Sequence, residues 1–123
     1  MLEVRLPAEP SALFLARAAV VAVSSGLPKS VVSDAELLTS EVVANAILHA
    51  NSDLPATVIV RVERGDSVRV EVVDQGPAFG ANPRASGPGS DGGWGWFLVN
   101  AVATAWGIEP EGTGKKVWFE LSP

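Results

Sequence analysis

The chain has 123 residues, of which 47% are hydrophobic and 19% are charged, and its formal net charge at pH 7 is −5. This composition is typical of one globular domain with a hydrophobic core, and the acidic balance argues against nucleic acid or an anionic membrane as a partner. The sequence has no cysteine and a single histidine, which argues against disulfides and zinc sites. We therefore expect a single domain over residues 1–123 in the cytoplasm, with no signal peptide and no membrane span.

The chain is predicted to open with a strand and a helix. Apolar residues alternate with charged ones over residues 2–6, which is the pattern of a strand. Ser11 is a candidate N-cap for a helix from Ala12 to about Ser24, and Gly26 with Pro28 would end that helix.

A second helix is predicted to reach Ala50. Ser33 and Glu36 fit a capping box for its first turn, although the helix could begin slightly earlier. Its last part, SEVVANAILHA, is mostly apolar, yet it carries polar residues at every fourth position. On a helix this spacing forms one stripe, made of Glu41, Asn45 and His49.

The polar stripe has two interpretations. Glu41 could act as a general base, and Asn45 could offer a neutral oxygen ligand to Mg²⁺. The alternative is a solvated helix face, because charged residues are rarely buried. For His49, interaction with the helix dipole near the C-terminus is a sufficient explanation.

The second half of the chain is predicted to contain a hairpin, a helix and a last strand. Two alternating runs, residues 58–62 and 68–72, flank the turn signal Arg64-Gly65-Asp66. A helix from Trp96 to Trp106 and a strand over residues 117–121 would follow. This order predicts an α+β fold whose sheet is at least partly antiparallel and is covered by helices on one face. Four charged residues on the other face could pair across the hairpin: Arg61, Glu63, Arg69 and Glu71.

A long segment rich in glycine and proline, DQGPAFGANPRASGPGSDGGWG, separates the hairpin from the last helix. Such segments are usually lids, binding loops or disordered. Its final glycines lie directly before a helix, where free N–H groups suit a phosphate, although they could equally permit a tight turn. Asp74 could accept a hydrogen bond from a ligand amino group, but taken alone it fits a turn residue better. GPGSDG and GTGKK both lack the context of known phosphate motifs.

Four stretches, in this order, resemble the GHKL (Bergerat-fold) ATP-binding family. They are ELLTSEVVANAILHA, DQGPAFG, GGWGWFLV and GTGKKVWFEL. The most similar branch contains small stand-alone anti-sigma factors that are serine/threonine kinases. The resemblance implies a two-layer α/β sandwich, with a mixed, mostly antiparallel sheet and helices on one face. It also implies ATP and Mg²⁺ as cofactors.

The resemblance assigns roles to single residues. Glu41 would be the catalytic residue, Asn45 the Mg²⁺ ligand, and Asp74 the acceptor for the adenine amino group. A lid would span about residues 79–92. The other cofactor-binding residues would be Gly76 beside the base, Gly93 and Gly95 at the phosphates, Thr113 near Asp74 through water, and Arg84 in the lid.

The resemblance implies an anti-sigma regulatory factor that phosphorylates an anti-sigma-factor antagonist. Its partners would be that antagonist, a sigma factor or both, and the family analogy allows a homodimer. Ala78, Trp94 and Leu48 stand where the family often has glycine or basic residues, and triphosphate binding benefits from cations. This departure motivates an alternative function, a non-catalytic partner-switching protein that sequesters a sigma factor or antagonist, with ATP structural or not bound.

Overall fold

The computed structural model describes residues 1–48, 56–74, 95–112 and 114–123, without the side chain of Trp96. No helix within these ranges is both long enough and apolar enough to cross a bilayer. The elements follow one another as β1 (Leu2–Pro7), α1 (Ser11–Ser24), α2 (Lys29–Leu48), β2 (Thr57–Arg64), β3 (Val68–Asp74), α3 (Gly95–Val102), β4 (Ala105–Glu111) and β5 (Gly114–Leu121).

The five strands form one sheet in the order β1-β2-β3-β5-β4. All four pairings between neighbouring strands are antiparallel. Strand β5 lies between β3 and β4, so the chain passes through α3 to the far edge and returns to the middle of the sheet by a hairpin. This architecture confirms the expected α+β fold with a mostly antiparallel sheet.

The core lies between the helices and one face of the sheet. Alternation buries Val60 on β2, Val70 on β3 and Phe119 on β5, each with no exposed surface. Helix α2 packs on both other helices and on the three central strands, and it contributes the fully buried Leu38 and Val43. Each such side chain stabilises the fold by roughly 1.5–3 kcal/mol through its burial. Helix α2 is therefore held on several sides, as its apolar sequence predicted.

The opposite face of the sheet carries a ladder of ion pairs. Arg61 lies 2.8 Å from Glu3 and 3.5 Å from Glu71, and this second pair confirms the predicted pairing across the hairpin. Arg69 binds Glu71 at 3.0 Å and Glu120 at 2.9 Å. The hydrogen bond to Glu3 is the largest cause that raises the pKa of the Arg61 guanidinium, so this cation stays charged at any working pH.

The predicted helix from Trp96 to Trp106 is wrong in its second half. Helix α3 ends at Val102, and residues 105–111 form the additional strand β4. Gly107 does not end a helix but lies opposite Trp118 on β5. A Cβ atom at Gly107 would come within 2.7 Å of the Trp118 Nε1, so glycine is required by close approach.

The two predicted helix caps are also wrong. Pro10 occupies the N-cap position of α1, and no side chain caps that helix, so Ser11 lies inside the first turn. Helix α2 begins at Lys29, which places Ser33 and Glu36 within it. At the end of α1 the prediction was right, because Gly26 takes a positive φ of 99°, which favours glycine.

Candidate functional site

Helix α2 presents a buried polar group one turn from a carboxylate. Asn45 is only 5% exposed, and its Oδ1 has no hydrogen-bond partner within the described ranges. A buried carbonyl oxygen without a partner carries a desolvation penalty, which a bound cation or water would relieve. Glu41 lies four residues earlier on the same helix and is partly exposed. The stripe predicted from the spacing is therefore present through these two residues.

A groove of about 410 Å³ lies beside Glu41. Helices α1 and α2 form it, and Arg17 and Glu36 contribute its other charged groups. Asn45 and Asp74 are not among the described residues that line it. Glu41 therefore lies at a groove in the surface of the helical layer.

Asp74 ends β3 and is buried on the helix-facing side of the sheet, as the last residue of an alternating run. It is 4% exposed and lies directly opposite Lys115 on β5. The Lys115 Nζ is 3.3 Å from the Asp74 Oδ2, and the two side chains are 3% and 2% exposed. The candidate base acceptor is thus part of a buried ion pair.

Lys115 is a residue of the site that the sequence prediction missed. The available signal was the alternation of β5, because Lys115 occupies the same face as Val117, Phe119 and Leu121. A lysine in phase with a buried apolar face requires a buried partner, since ammonium groups are almost never buried unpaired. The sequence alone does not identify that partner, because the partner is set by the register between β3 and β5.

Lys116 lies on the opposite face of β5. Its Nζ is 3.1 Å from a Glu109 oxygen and 3.9 Å from a Glu71 oxygen. Both lysines near the end of β3 are therefore held by carboxylates of this chain, and Lys116 lies on the face away from the helices. Neither lysine is placed as a ready phosphate ligand.

Gly95 is the first residue of α3, so the glycine-rich segment does end at a helix N-terminus. The first turn of α3 contains no acidic residue, and the positive end of a helix dipole favours an anion. The remaining predicted positions lie outside the described residues. They are His49, Gly76, the lid at about 79–92 with Arg84, Gly93 and Thr113.

One oxygen among the described residues is a candidate ligand for Mg²⁺. Within them, no cluster of three or more histidine, aspartate or glutamate side chains could hold a metal ion. Mg²⁺ commonly takes few protein ligands and completes its shell with water and phosphate oxygens. The unpartnered Asn45 Oδ1 suits that role. The described residues thus include a candidate metal ligand on α2, a carboxylate–ammonium pair at the end of β3 and the N-terminus of α3.

The sequence profile of the histidine kinase-like ATPase domain matches residues 6–121. No curated protein matches the chain. Among solved structures, the RsbU and RsbW domains of Rv1364c from Mycobacterium tuberculosis align with a TM-score of 0.69 and 21% identity. The alignment covers 98% of this chain and 31% of that chain.

The EL346 blue-light activated histidine kinase from Erythrobacter litoralis aligns with a TM-score of 0.62 and 24% identity, covering 90% of this chain and 40% of that chain. Its histidine kinase domain aligns with a TM-score of 0.60 and 25% identity, covering 94% of this chain and 60% of that one. The chain thus spans from 31% to 60% of the length of these three structures.

Proposed function

The chain belongs to the family of histidine kinase-like ATPase domains, and on that premise we propose that it is an ATP-binding anti-sigma regulatory factor. We further propose that it acts as a protein serine/threonine kinase, transferring the γ-phosphate of ATP to an anti-sigma-factor antagonist. The fold that it shares with a structure containing an RsbW domain supports this branch of the family.

One observation carries the proposal of a magnesium nucleotide site. The Asn45 Oδ1 is buried without a hydrogen-bond partner in the described part of the chain, one helical turn from Glu41. A bound cation would relieve the desolvation penalty of this oxygen. Asn45 would hold Mg²⁺, which neutralises phosphate charge when it is bound.

The other residues would divide the remaining tasks. Glu41 would accept the proton of the attacking serine or threonine hydroxyl, and its partial exposure leaves it accessible to a protein substrate. Asp74 would accept a hydrogen bond from the nucleotide base. The N–H groups at the start of α3, beginning with Gly95, would bind phosphate oxygens. Gly76, Arg84, Gly93 and Thr113 would complete the site.

The test is calorimetric titration with a non-hydrolysable ATP analogue, with and without Mg²⁺. We expect magnesium-dependent binding to the wild type, and a loss of at least tenfold in affinity in Asn45→Ala. Thr39→Val is the matched control, since the Thr39 Oγ1 is also buried and without a partner among the described residues of α2. It should bind like the wild type. Equal losses in both variants would mean that the Asn45 oxygen is not a ligand.

Phosphoryl transfer is tested separately, with radiolabelled ATP and anti-sigma-factor antagonists from the same genome. Glu41→Gln should bind the analogue normally but transfer phosphate at least 100-fold more slowly, in the range typical of general-base removal, about 10²–10⁴. Glu36→Gln, which alters another carboxylate of the same groove, should transfer at the wild-type rate. A fully active Glu41→Gln would contradict the kinase mechanism.

A second function is supported by the positions of the cations. Lys115 and Lys116 are both bound to carboxylates, so neither is free to neutralise a triphosphate. A shortage of free cations near the end of β3 would favour a non-catalytic partner-switching protein that sequesters a sigma factor or antagonist, with ATP structural or not bound. In that case partner affinity would not change with nucleotide, and no partner would be phosphorylated.

A further inference from the structure

The groove beside Glu41 continues along the outer surface of the helical layer, between α1 and α2. Two further depressions, of about 380 and 660 Å³, adjoin it. The first shares Arg17 and Glu36 with the groove, and the second shares Val21 with the first. Together they form one surface feature, the α1/α2 groove, which runs from Glu41 at one end to Lys29 at the other.

The α1 side of the α1/α2 groove is apolar and exposed to solvent. Phe14, Ala18 and Val21 are spaced four and three residues apart, so they share one face of the helix and line the middle depression together. Phe14 is 67% exposed and Val21 is 39% exposed. Apolar side chains that are exposed singly are normal, whereas a contiguous exposed patch marks a site of interaction. The α1/α2 groove is therefore a candidate docking surface.

The charges along the α1/α2 groove restrict what can occupy it. Glu36 and Glu41 place two carboxylates in it, which disfavours nucleic acid and anionic membranes. In the middle, Arg17 and Glu36 carry opposite charges. At the far end, Lys29 is the single charged residue among the described residues that line the depression, and no ion pair within the described ranges involves it. An occupant with an acidic group at that end matches this pattern.

The walls of the α1/α2 groove favour a helix as the occupant. Both walls are helices, whose backbone groups are bonded within each helix, so an extended segment cannot be added there as a strand. Recognition then depends on side chains, as when an amphipathic helix lies in an apolar groove. Residues 29–41 of α2 span about 18 Å at 1.5 Å per residue, the length of about three helical turns.

We propose that the α1/α2 groove is the docking site of the anti-sigma-factor antagonist, which places an amphipathic helix of about three turns along it. The apolar residues of that helix pack on Phe14 and Val21, and an acidic residue pairs with Lys29. The antagonist fits better than a second copy of this chain, because a second copy in the groove would cover Glu41, the residue proposed to act on a protein hydroxyl. The inference rests on the proposed function and adds the surface that binds its partner.

The test measures binding of purified antagonists from the same genome to the full chain by biolayer interferometry, with Mg²⁺ and a non-hydrolysable ATP analogue. Phe14→Asp places a charge in the apolar part of the groove, and we expect it to weaken binding by about tenfold or more. Leu15→Asp is the matched control. Leu15 is the next residue of α1 and is 45% exposed, but it is not among the residues that line the groove. Its affinity should stay within about threefold of the wild type.

A second pair of variants tests the charge at the far end. Lys29→Glu should slow association by about threefold or more at low salt, and the difference should shrink at high salt. Arg5→Glu makes the same change of charge on the face of the sheet away from the helices, and it should associate like the wild type. If Phe14→Asp does not fold, Val21→Asp replaces it, because Val21 lines two of the three depressions.

The kinetics of phosphoryl transfer separate docking from catalysis. Phe14→Asp should raise the KM for the antagonist and leave kcat unchanged, because a docking contact is made equally in the ground state and the transition state. A fall in kcat with an unchanged KM would overturn the docking role.

The outcomes separate this inference from the proposed function. Equal binding by Phe14→Asp and Leu15→Asp overturns the inference and leaves the proposed function standing. So does a wild-type dimer that Phe14→Asp dissociates in sedimentation analysis, or a loss of binding to sigma factors while antagonists still bind. If no antagonist binds the folded wild type, both the inference and the proposed partner are overturned. Antagonist binding that Phe14→Asp loses, in a protein that binds no nucleotide, supports the inference and overturns the ATP site.

Discussion

At Gly107 the absence of a side chain allows an aromatic ring to pack against the backbone of the edge strand. An added Cβ would lie 2.7–2.9 Å from three atoms of the Trp118 indole. The ring is also held by Arg69, whose guanidinium carbon lies 4.2 Å from the ring centroid. A shift of the indole away from Gly107 would therefore also change its contact with Arg69.

We therefore predict that Gly107→Ala lowers the free energy of unfolding by about 1–3 kcal/mol, the usual cost of overpacking. Urea denaturation followed by tryptophan fluorescence measures the change. Gly65→Ala is the control, since an added Cβ there meets nothing within 4 Å and the backbone does not take a positive φ. A Gly107→Ala variant as stable as Gly65→Ala would contradict the close packing.

The placement of single site residues was predictable where spacing along one element determined it. Glu41 and Asn45 lie one turn apart on α2, and Asp74 ends β3, as the sequence indicated. The pairing of Asp74 with Lys115 was not predictable in the same way, because it depends on the register between strands distant in sequence. The roles of Gly76, Arg84, Gly93 and Thr113 stay predictions, since these residues lie outside the described ranges.

Among the secondary-structure elements, those with a clear alternation were predicted and the edge strand was not. Strands β2, β3 and β5 alternate buried valine or phenylalanine with polar residues, which is the signature of a half-buried strand. Strand β4 is partly buried along most of its length and contains Gly107 and Pro110. Proline is tolerated there because an edge strand leaves some backbone groups unpaired. In a sequence, however, proline usually indicates the end of a strand or helix.

The ladder on the outer face of the sheet joins the strands through Glu71. Its carboxylate accepts a hydrogen bond from Arg69 at 3.0 Å. It also forms ion pairs with Arg61 at 3.5 Å and with Lys116 at 3.9 Å. Burial alone would lower the pKa of Arg69, but hydrogen bonds from its guanidinium to Glu120 and Glu71 outweigh that and raise it. A raised pKa in a cation means that its contribution to stability is complete below the ordinary arginine pKa, and disappears only at still higher pH.

We predict that Glu71→Gln lowers the free energy of unfolding by about 1 kcal/mol, because ion pairs that are partly exposed to solvent are individually weak and each cation keeps a second carboxylate. The difference from wild type should shrink in about 1 M salt, where the screening length is about 3 Å. Raising the pH from 6 to 9 should leave the arginine contribution unchanged. Urea denaturation under these conditions measures all three effects.

Glu63→Gln provides the matched control for Glu71→Gln. It makes the same change of charge on the same hairpin, but Glu63 is exposed and forms no ion pair within the described ranges. Its stability should lie within about 0.5 kcal/mol of the wild type, as is usual for surface positions. Equal losses in both variants would show that net charge, and not the ladder, determines the effect.

For the molecule as a whole, the proposed site couples ligand binding to stability. Helix α2 carries Asn45 and packs on both other helices and three strands, so a ligand held there stabilises the whole fold. Binding to the folded state alone contributes about 2.7 kcal/mol when the ligand is present at 100 times its dissociation constant. This stabilisation does not require catalysis. Measuring it in variants therefore distinguishes residues that bind the ligand from a residue that acts only in catalysis.

We predict that a non-hydrolysable ATP analogue with Mg²⁺ raises the Tm of the wild type by several degrees, with a rise that grows with the logarithm of ligand concentration. Glu41→Gln should show the same rise, because Glu41 is proposed to act on the attacking hydroxyl and not to hold the nucleotide. Asn45→Ala should lose the magnesium-dependent part, since the buried oxygen that would hold the ion is removed. Scanning calorimetry of the three proteins distinguishes nucleotide binding from catalysis. A Glu41→Gln variant that also loses the rise in Tm would show that Glu41 helps to bind the nucleotide.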